Sequence, residues 1–187
     1  MSIKVDLQVD AKGLSCPMPI VRTKKAMDQL QAGQVLELLA TDPGSYADIQ
    51  GWAKSTGHHY LGTQQEGDVL KHYLRKANDV EGKEIKFPHT ISPEELNAKL
   101  EKNEGVILDV REPAEYAFGH IPGAISIPYG ELEKRMGELN PDEDIYVVCR
   151  TGNRSDLASQ LLSEKGFKTV KNVTSGMEDW KGPIEKD

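Results

Sequence analysis

The chain has 187 residues, enough for one or two domains. Charged residues make up 28% and hydrophobic residues 37%, an ordinary globular composition in which no apolar run approaches the roughly 18 residues of a membrane span. The net charge of −7 is uneven: residues 1–76 hold 9 Lys/Arg against 8 Asp/Glu and residues 77–187 hold 14 against 22, which argues against general nucleic-acid binding by the second half.

The first residues, Met1-Ser2-Ile3-Lys4-Val5-Asp6, form no apolar signal segment, so a cytoplasmic protein is expected. The two cysteines, Cys16 and Cys149, are not expected to pair in a reducing compartment. Ile3, Val5, Leu7 and Val9 alternate with polar residues and predict a half-buried strand. Gly13 marks a turn. Pro17 suits the first position of a helix running to about Leu30, with Cys16 at or near its N-cap. Prolines at 17 and 19 lack an N–H, which leaves those of Met18 and Ile20 as donors near the Cys16 sulfur, where the helix dipole would favour a thiolate. The residues alone leave open a helix start that merely contains a cysteine.

Residues 35–41 predict a second strand. Asp42 as N-cap and Pro43 at the first position predict a second helix, with Ile49, Trp52 and Ala53 on its buried stripe. Residues 59–65 and 69–76 flank Glu66-Gly67-Asp68 as a hairpin. The order βαβαββ suffices for a small two-layer sandwich. Arg22, Lys24 and Lys25 form a basic cluster, read either as a solvated helix face or as a docking patch for an acidic partner.

Asp10, Gly13-Leu14, Cys16-Pro17-Met18-Pro19, Asp42-Pro43, Asp48-Ile49, Trp52 and Gly57-His58 together resemble the TusA-like sulfur-carrier family, over nearly all of residues 1–76. The resemblance implies that Cys16 carries a persulfide. His58 belongs to the pattern and is read as a turn residue; His59 and His72 have no partners at metal-ligand spacing. Residues 77–88 are polar and aperiodic and read as a linker, with Ile85 and Phe87 as a possible start of the next domain.

Residues 89–187 predict alternating strands and helices. Ser92 and Glu95 form a capping box with Pro93 at the first helical position. Residues 106–110 and 145–148 are nearly continuous apolar runs, the mark of parallel strands covered on both faces. Helices are expected at 113–118, 130–139, 152–165 and 175–180, with further strands at 124–127 and 169–173. Cys149 then lies at the carboxyl end of a central strand, where α/β sheets place their sites. The loop Cys149-Arg150-Thr151-Gly152-Asn153-Arg154-Ser155 leads into a helix. Such a loop turns N–H groups toward its centre, and two arginines add positive charge, so Cys149 is expected to be a nucleophile favoured as thiolate.

Asp109-Val110-Arg111, Glu115-Tyr116, Gly119-His120-Ile121-Pro122-Gly123-Ala124, the loop from Cys149 to Arg154, and Ser175-Gly176-Met177 before Trp180 resemble a single rhodanese domain. Asp109 and Arg111 are its supporting residues, and His120 is read as structural. The Cys-x5-Arg pattern of related phosphatases is absent: the sixth residue after Cys149 is Ser155, and arginine falls fifth, at Arg154. The shorter ring favours a sulfane sulfur over a phosphate. The expected chemistry is transfer of sulfane sulfur from thiosulfate, polysulfide or a low-molecular persulfide to Cys149, with Arg150 binding the donor and Arg154 stabilising the loop charge or the donor. N–H groups of Thr151 to Ser155 would hold the persulfide, which is exchanged with Cys16 for an acceptor protein. No metal, cofactor, membrane or nucleic acid is required. The alternatives are a Cys-based phosphatase or arsenate reductase, or an RNA- or protein-binding first domain with a redox-sensing cysteine pair.

Overall fold

The computed structural model describes residues 3–77 and 86–186, in two compact units divided between Asp79 and Val80. The first unit runs β1 (Leu7–Ala11), α1 (Met18–Met27), β2 (Val35–Ala40), α2 (Ser45–Thr56), β3 (His59–Glu66) and β4 (Val69–Arg75). This is the expected βαβαββ order. Its sheet is ordered β1-β2-β4-β3. β1 and β2 are parallel, so the chain must cross over between them, and α1 is that crossover. β4 lies antiparallel to both β2 and β3. Leu36 and Leu38, two apart on β2, face a core with Leu74, Met27, Ile49 and Ala53. The Lys76 ammonium donates to the carbonyl of Met27, the last residue of α1 (3.0 Å), and to that of Leu30, three residues beyond it (2.7 Å).

Both helix starts fall later than the prolines suggest. α1 begins at Met18 rather than Pro17. α2 begins at Ser45 rather than Pro43, because Asp42 closes a local turn with the Gly44 N–H (3.0 Å) and sends its other oxygen across to the Cys16 N–H (2.9 Å). A carboxylate so engaged does not cap the helix.

The second unit runs β5 (Thr90–Ile91), α3 (Pro93–Glu101), β6 (Val106–Asp109), α4 (Pro113–Phe118), β7 (Ile125–Ser126), α5 (Tyr129–Arg135), β8 (Asp144–Val148), α6 (Asn153–Glu164) and β9 (Thr169–Val173). Two 3-10 turns add Met136–Glu138 and Gly176–Asp179. The sheet is ordered β5-β9-β8-β6-β7, and every strand pair in it is parallel. Alternate residues of β8 go to opposite faces: Ile145 and Val147 pack with Leu108, Leu132 and Leu162, whereas Tyr146 and Val148 pack with Ile107, Leu96 and Trp180. Both faces are therefore apolar, which is why β8 reads as an unbroken hydrophobic run. The expected cap of α3 forms, the Ser92 hydroxyl accepting from the Glu95 N–H at 3.1 Å.

The second unit starts before residue 89. Phe87 is buried in its core, and the N–H groups of Lys86 and Phe87 both donate to Asp156 Oδ1 (3.1 and 2.6 Å). Residues 78–85 of the expected 77–88 linker lie outside the described residues. Among the described residues no helix is long and apolar enough to cross a membrane.

Candidate active site

β8 delivers Cys149 to its carboxyl end, and α6 begins at Asn153. The turn between them is held from outside. The carbonyls of Cys149 and Arg150 accept from the N–H groups of Met177 (2.8 Å) and Glu178 (3.0 Å), in the 3-10 turn after β9. With its carbonyls directed outward, the loop is free to turn N–H groups inward. That of Gly152 donates to Cys149 Sγ at 3.1 Å. Gly152 has φ +98°, a left-handed conformation that suits glycine. The close bracing sets a second glycine requirement: a Cβ on Gly176 (φ +51°) would lie 2.2 Å from the Cys149 carbonyl oxygen. Cys149 is wholly buried, and Arg150 and Thr151 are the half-exposed members of the loop.

A buried polar chain sits beneath the sulfur. Cys149 Sγ lies 3.4 Å from Ser155 Oγ, which donates to Asn172 Oδ1 at 2.5 Å. The Asn172 amide nitrogen donates to the Gly152 carbonyl at 3.2 Å. A carbonyl can only accept, so the amide orientation is determined, and the Ser155 hydroxyl proton is directed to Asn172. Its oxygen is then left to accept from the Cys149 thiol. Sequence reasoning did not identify Asn172; its one local signal is an asparagine at an inward position of an apolar strand.

Arg154 is engaged in a buried ion pair. Its two terminal nitrogens pair with Glu115 Oε1 (2.8 Å) and Oε2 (3.0 Å), both residues buried. Glu115 Oε1 also accepts from the Glu112 N–H (3.2 Å), so one carboxylate ties the start of α6 to the start of α4. The guanidinium expected to serve the loop charge or the donor is held in this buried pair, which fixes the loop's frame. Arg111 behaves likewise: it makes a buried two-pronged contact with Asp109 (Nε–Oδ1 3.0 Å, Nη2–Oδ2 2.7 Å), and Nη2 also donates to the Gly119 carbonyl (2.8 Å). His120 takes the structural place expected of it, its Nδ1 2.8 Å from the Tyr116 carbonyl and its ring stacked on that of Tyr116 at 3.7 Å. His58 does too, accepting from the Ala77 N–H at 3.1 Å.

Cys16 lies in the other unit, exposed, and both cysteines are free thiols. Its setting corrects the expectation of a thiolate on a helix N-terminus. The Met18 N–H is used in the turn, donating to the Ser15 carbonyl at 3.0 Å. The Cys16 thiol instead donates to Asp48 Oδ2 at 2.8 Å. The Asp48 hydrogen bond, desolvation, and the charges of Asp48 and Asp42 together push the thiol pKa up. Arg22 of the basic cluster donates to the Asp10 carbonyl at 2.9 Å. Lys24 and Lys25 are exposed. Among the described residues no group of three or more His, Cys, Asp or Glu is placed to hold a metal ion.

The family model described as "Sulfurtransferase TusA" matches residues 7–76, and that described as "Rhodanese-like domain" matches residues 92–183. The "Putative sulfur carrier protein YrkF" of Bacillus subtilis (strain 168) is 50% identical over 184 residues, covering 98% of this chain and 100% of that protein. The "Putative sulfur carrier protein YrkI" of the same organism is 55% identical over 75 residues, 40% of this chain and 100% of that protein. A crystal structure of a rhodanese-related protein from Thermoplasma volcanium superposes with a TM-score of 0.50 at 32% identity, covering 53% of this chain and 99% of that one. A TusA-type unit with an exposed cysteine in its first turn, a rhodanese-type unit whose loop directs the Gly152 N–H at its cysteine, and 50% identity over nearly the whole chain to a putative sulfur carrier protein lead to one conclusion: the chain belongs to the sulfur carrier and sulfurtransferase family that joins a TusA domain to a rhodanese-like domain.

Proposed function

We propose that Cys149 takes a sulfane sulfur from a small anionic donor (thiosulfate, a polysulfide or a low-molecular persulfide) and passes it to Cys16, which delivers it to an acceptor protein. The observation that carries this reading is the Gly152 N–H directed at Cys149 Sγ within a loop whose carbonyls are engaged outside. A donor so placed can stabilise negative charge that develops on the Cys149 sulfur during exchange.

With thiosulfate, the Cys149 thiolate attacks the outer sulfur; one S–S bond forms, the donor's S–S bond breaks, and sulfite leaves with its electron pair. No cofactor is needed, because the group in transit is held covalently. Arg150, half-exposed on the loop, is the residue to bind the donor's charge. Cys16 then attacks the outer sulfur of the Cys149 persulfide, and Cys149 leaves as thiolate. Tethering the two sulfurs in one chain raises their effective concentration. Free thiols suit a reducing cytoplasm. Phosphate hydrolysis has less support: Ser155 stands where the phosphatase pattern has arginine, and Arg154 is bound to Glu115.

The test is persulfide mapping by mass spectrometry after exposure of the unmutated chain, Cys16→Ser and Cys149→Ser to each donor. Persulfide is expected on both cysteines of the unmutated chain and on Cys149 alone in Cys16→Ser. Loading of Cys16 at the unmutated rate in Cys149→Ser would end the relay reading.

A further inference from the structure

The two reactive sulfurs stand in opposite electrostatic settings. Cys149 receives an N–H from Gly152 at 3.1 Å and meets a neutral acceptor, Ser155 Oγ at 3.4 Å, whereas Cys16 gives its proton to the Asp48 carboxylate at 2.8 Å. The contact at Cys16 is built by two elements. Asp42, after β2, pins the Cys16 backbone N–H at 2.9 Å and so fixes the cysteine turn against the start of α2. Asp48, in the first turn of α2, is then left facing the sulfur. The nearby cations point elsewhere: Arg22 donates to the Asp10 carbonyl at 2.9 Å, and Lys12 Nζ lies 3.8 Å from the Asp10 carboxylate. The charges acting on Cys16 are thus those of Asp48 and Asp42.

We infer that Asp48 is a catalytic residue of the carrier unit, keeping the sulfur borne by Cys16 protonated both as thiol and as persulfide, so that the loaded carrier offers a neutral, electrophilic outer sulfur to an acceptor thiolate. Its loaded-state half rests on the relay proposed above. A second sulfur extends the side chain by about 2 Å, still near the carboxylate, and like charges so close disfavour the persulfide anion. At Cys149 the Gly152 N–H instead donates to the sulfur, placed to stabilise the charge that develops there as Cys149 leaves. The relay therefore runs from a site that stabilises charge on sulfur to one that suppresses it, which suits Cys149 as leaving group and Cys16 as the point of onward delivery.

The steps balance. In loading, Cys16 attacks the outer sulfur of Cys149–S–SH while its thiol proton passes to the Asp48 carboxylate and then to water. A Cys16 S–S bond forms, the Cys149 S–S bond breaks, and Cys149 leaves as thiolate. In delivery, an acceptor thiolate attacks the outer sulfur of Cys16–S–SH. The acceptor becomes the persulfide, and Cys16 leaves as thiolate and regains its proton from water through Asp48.

The test uses the full chain carrying Cys149→Ser, in which Cys16 is the remaining cysteine, with Asp48 intact, Asp48→Asn or Asp48→Glu. The first measurement is the pH profile of Cys16 alkylation by iodoacetamide. In Asp48→Asn the profile should move to lower pH, and the rate at pH 7 should rise roughly threefold or more, with Asp48→Glu restoring much of the original behaviour. The second loads Cys16 chemically with polysulfide and follows thiocyanate formed on adding cyanide. Release should slow roughly threefold or more in Asp48→Asn, because more of its persulfide is anionic. An unchanged alkylation profile, or unchanged release, overturns the inference. Failure of the relay looks different: the unmutated chain would load Cys149 from thiosulfate and leave Cys16 empty, while both measurements on the Cys149→Ser chains would still report on Asp48.

Discussion

Ser155 and Asn172 share a buried hydrogen bond of 2.5 Å, and through it β9 determines the polarity of the group lying against the Cys149 sulfur. Both side chains are wholly buried. Replacing Asn172 by Ala leaves the Ser155 hydroxyl to find a new partner without water, while the Gly152 carbonyl keeps the Asp156 N–H. A loss of about 1–3 kcal/mol is expected for the second unit. Urea unfolding followed by Trp180 fluorescence would measure it, and an unchanged midpoint would show that the chain of bonds contributes nothing.

Gly176 tests the outer brace. An alanine Cβ there would stand 2.2 Å from the Cys149 carbonyl oxygen and 2.9 Å from that of Arg150, at a φ that side chains rarely adopt. The brace must open, and the carbonyls it holds outward are released. Gly176→Ala should lower thiosulfate-to-cyanide sulfur transfer about tenfold or more, while circular dichroism shows a folded chain. Full activity in this variant would mean that the loop does not depend on the 3-10 turn.

The Arg154–Glu115 pair makes a distinct prediction. Both partners are buried and joined by two short bonds. Glu115→Gln removes the compensating charge and strands a buried guanidinium, which costs about 3–5 kcal/mol. The second unit should lose stability in denaturant by that amount. A change confined to donor KM, with stability intact, would favour the donor among the two roles, loop charge or donor, expected of Arg154.

His72 gives the first unit a pH dependence. Its ring lies between Ser45 Oγ (2.9 Å) and Thr63 Oγ1 (2.7 Å), and burial lowers its pKa to about 4. In the unfolded chain the ring takes up a proton near its ordinary value of about 6.5, so the unfolded state binds more protons between the two. Stability should therefore be complete above about pH 6.5 and decline as pH falls toward 4, by up to about 3 kcal/mol. His72→Gln should flatten that decline in acid titrations followed by Trp52 fluorescence.

What the sequence determined by itself is what short-range pattern encodes. The βαβαββ order, the doubly buried β8, the Ser92 cap and the position of Cys149 at a strand end are each written within about ten neighbouring residues, through periodicity, turn residues and motif spacing. The two-residue β5 carries too little pattern to be seen and exists because β9 offers it a partner. Tertiary structure alone decided the electrostatics of both sites. Asp48 meets Cys16 across 32 positions, Glu115 meets Arg154 across 39, and Asn172 meets Ser155 across 17. Local reasoning credited Cys16 with a helix dipole and Arg154 with the loop charge or the donor, because each lies next to the right neighbours in the chain. A sulfur's proton responds to whichever charge lies within a few ångströms, and only the folded chain brings those charges there.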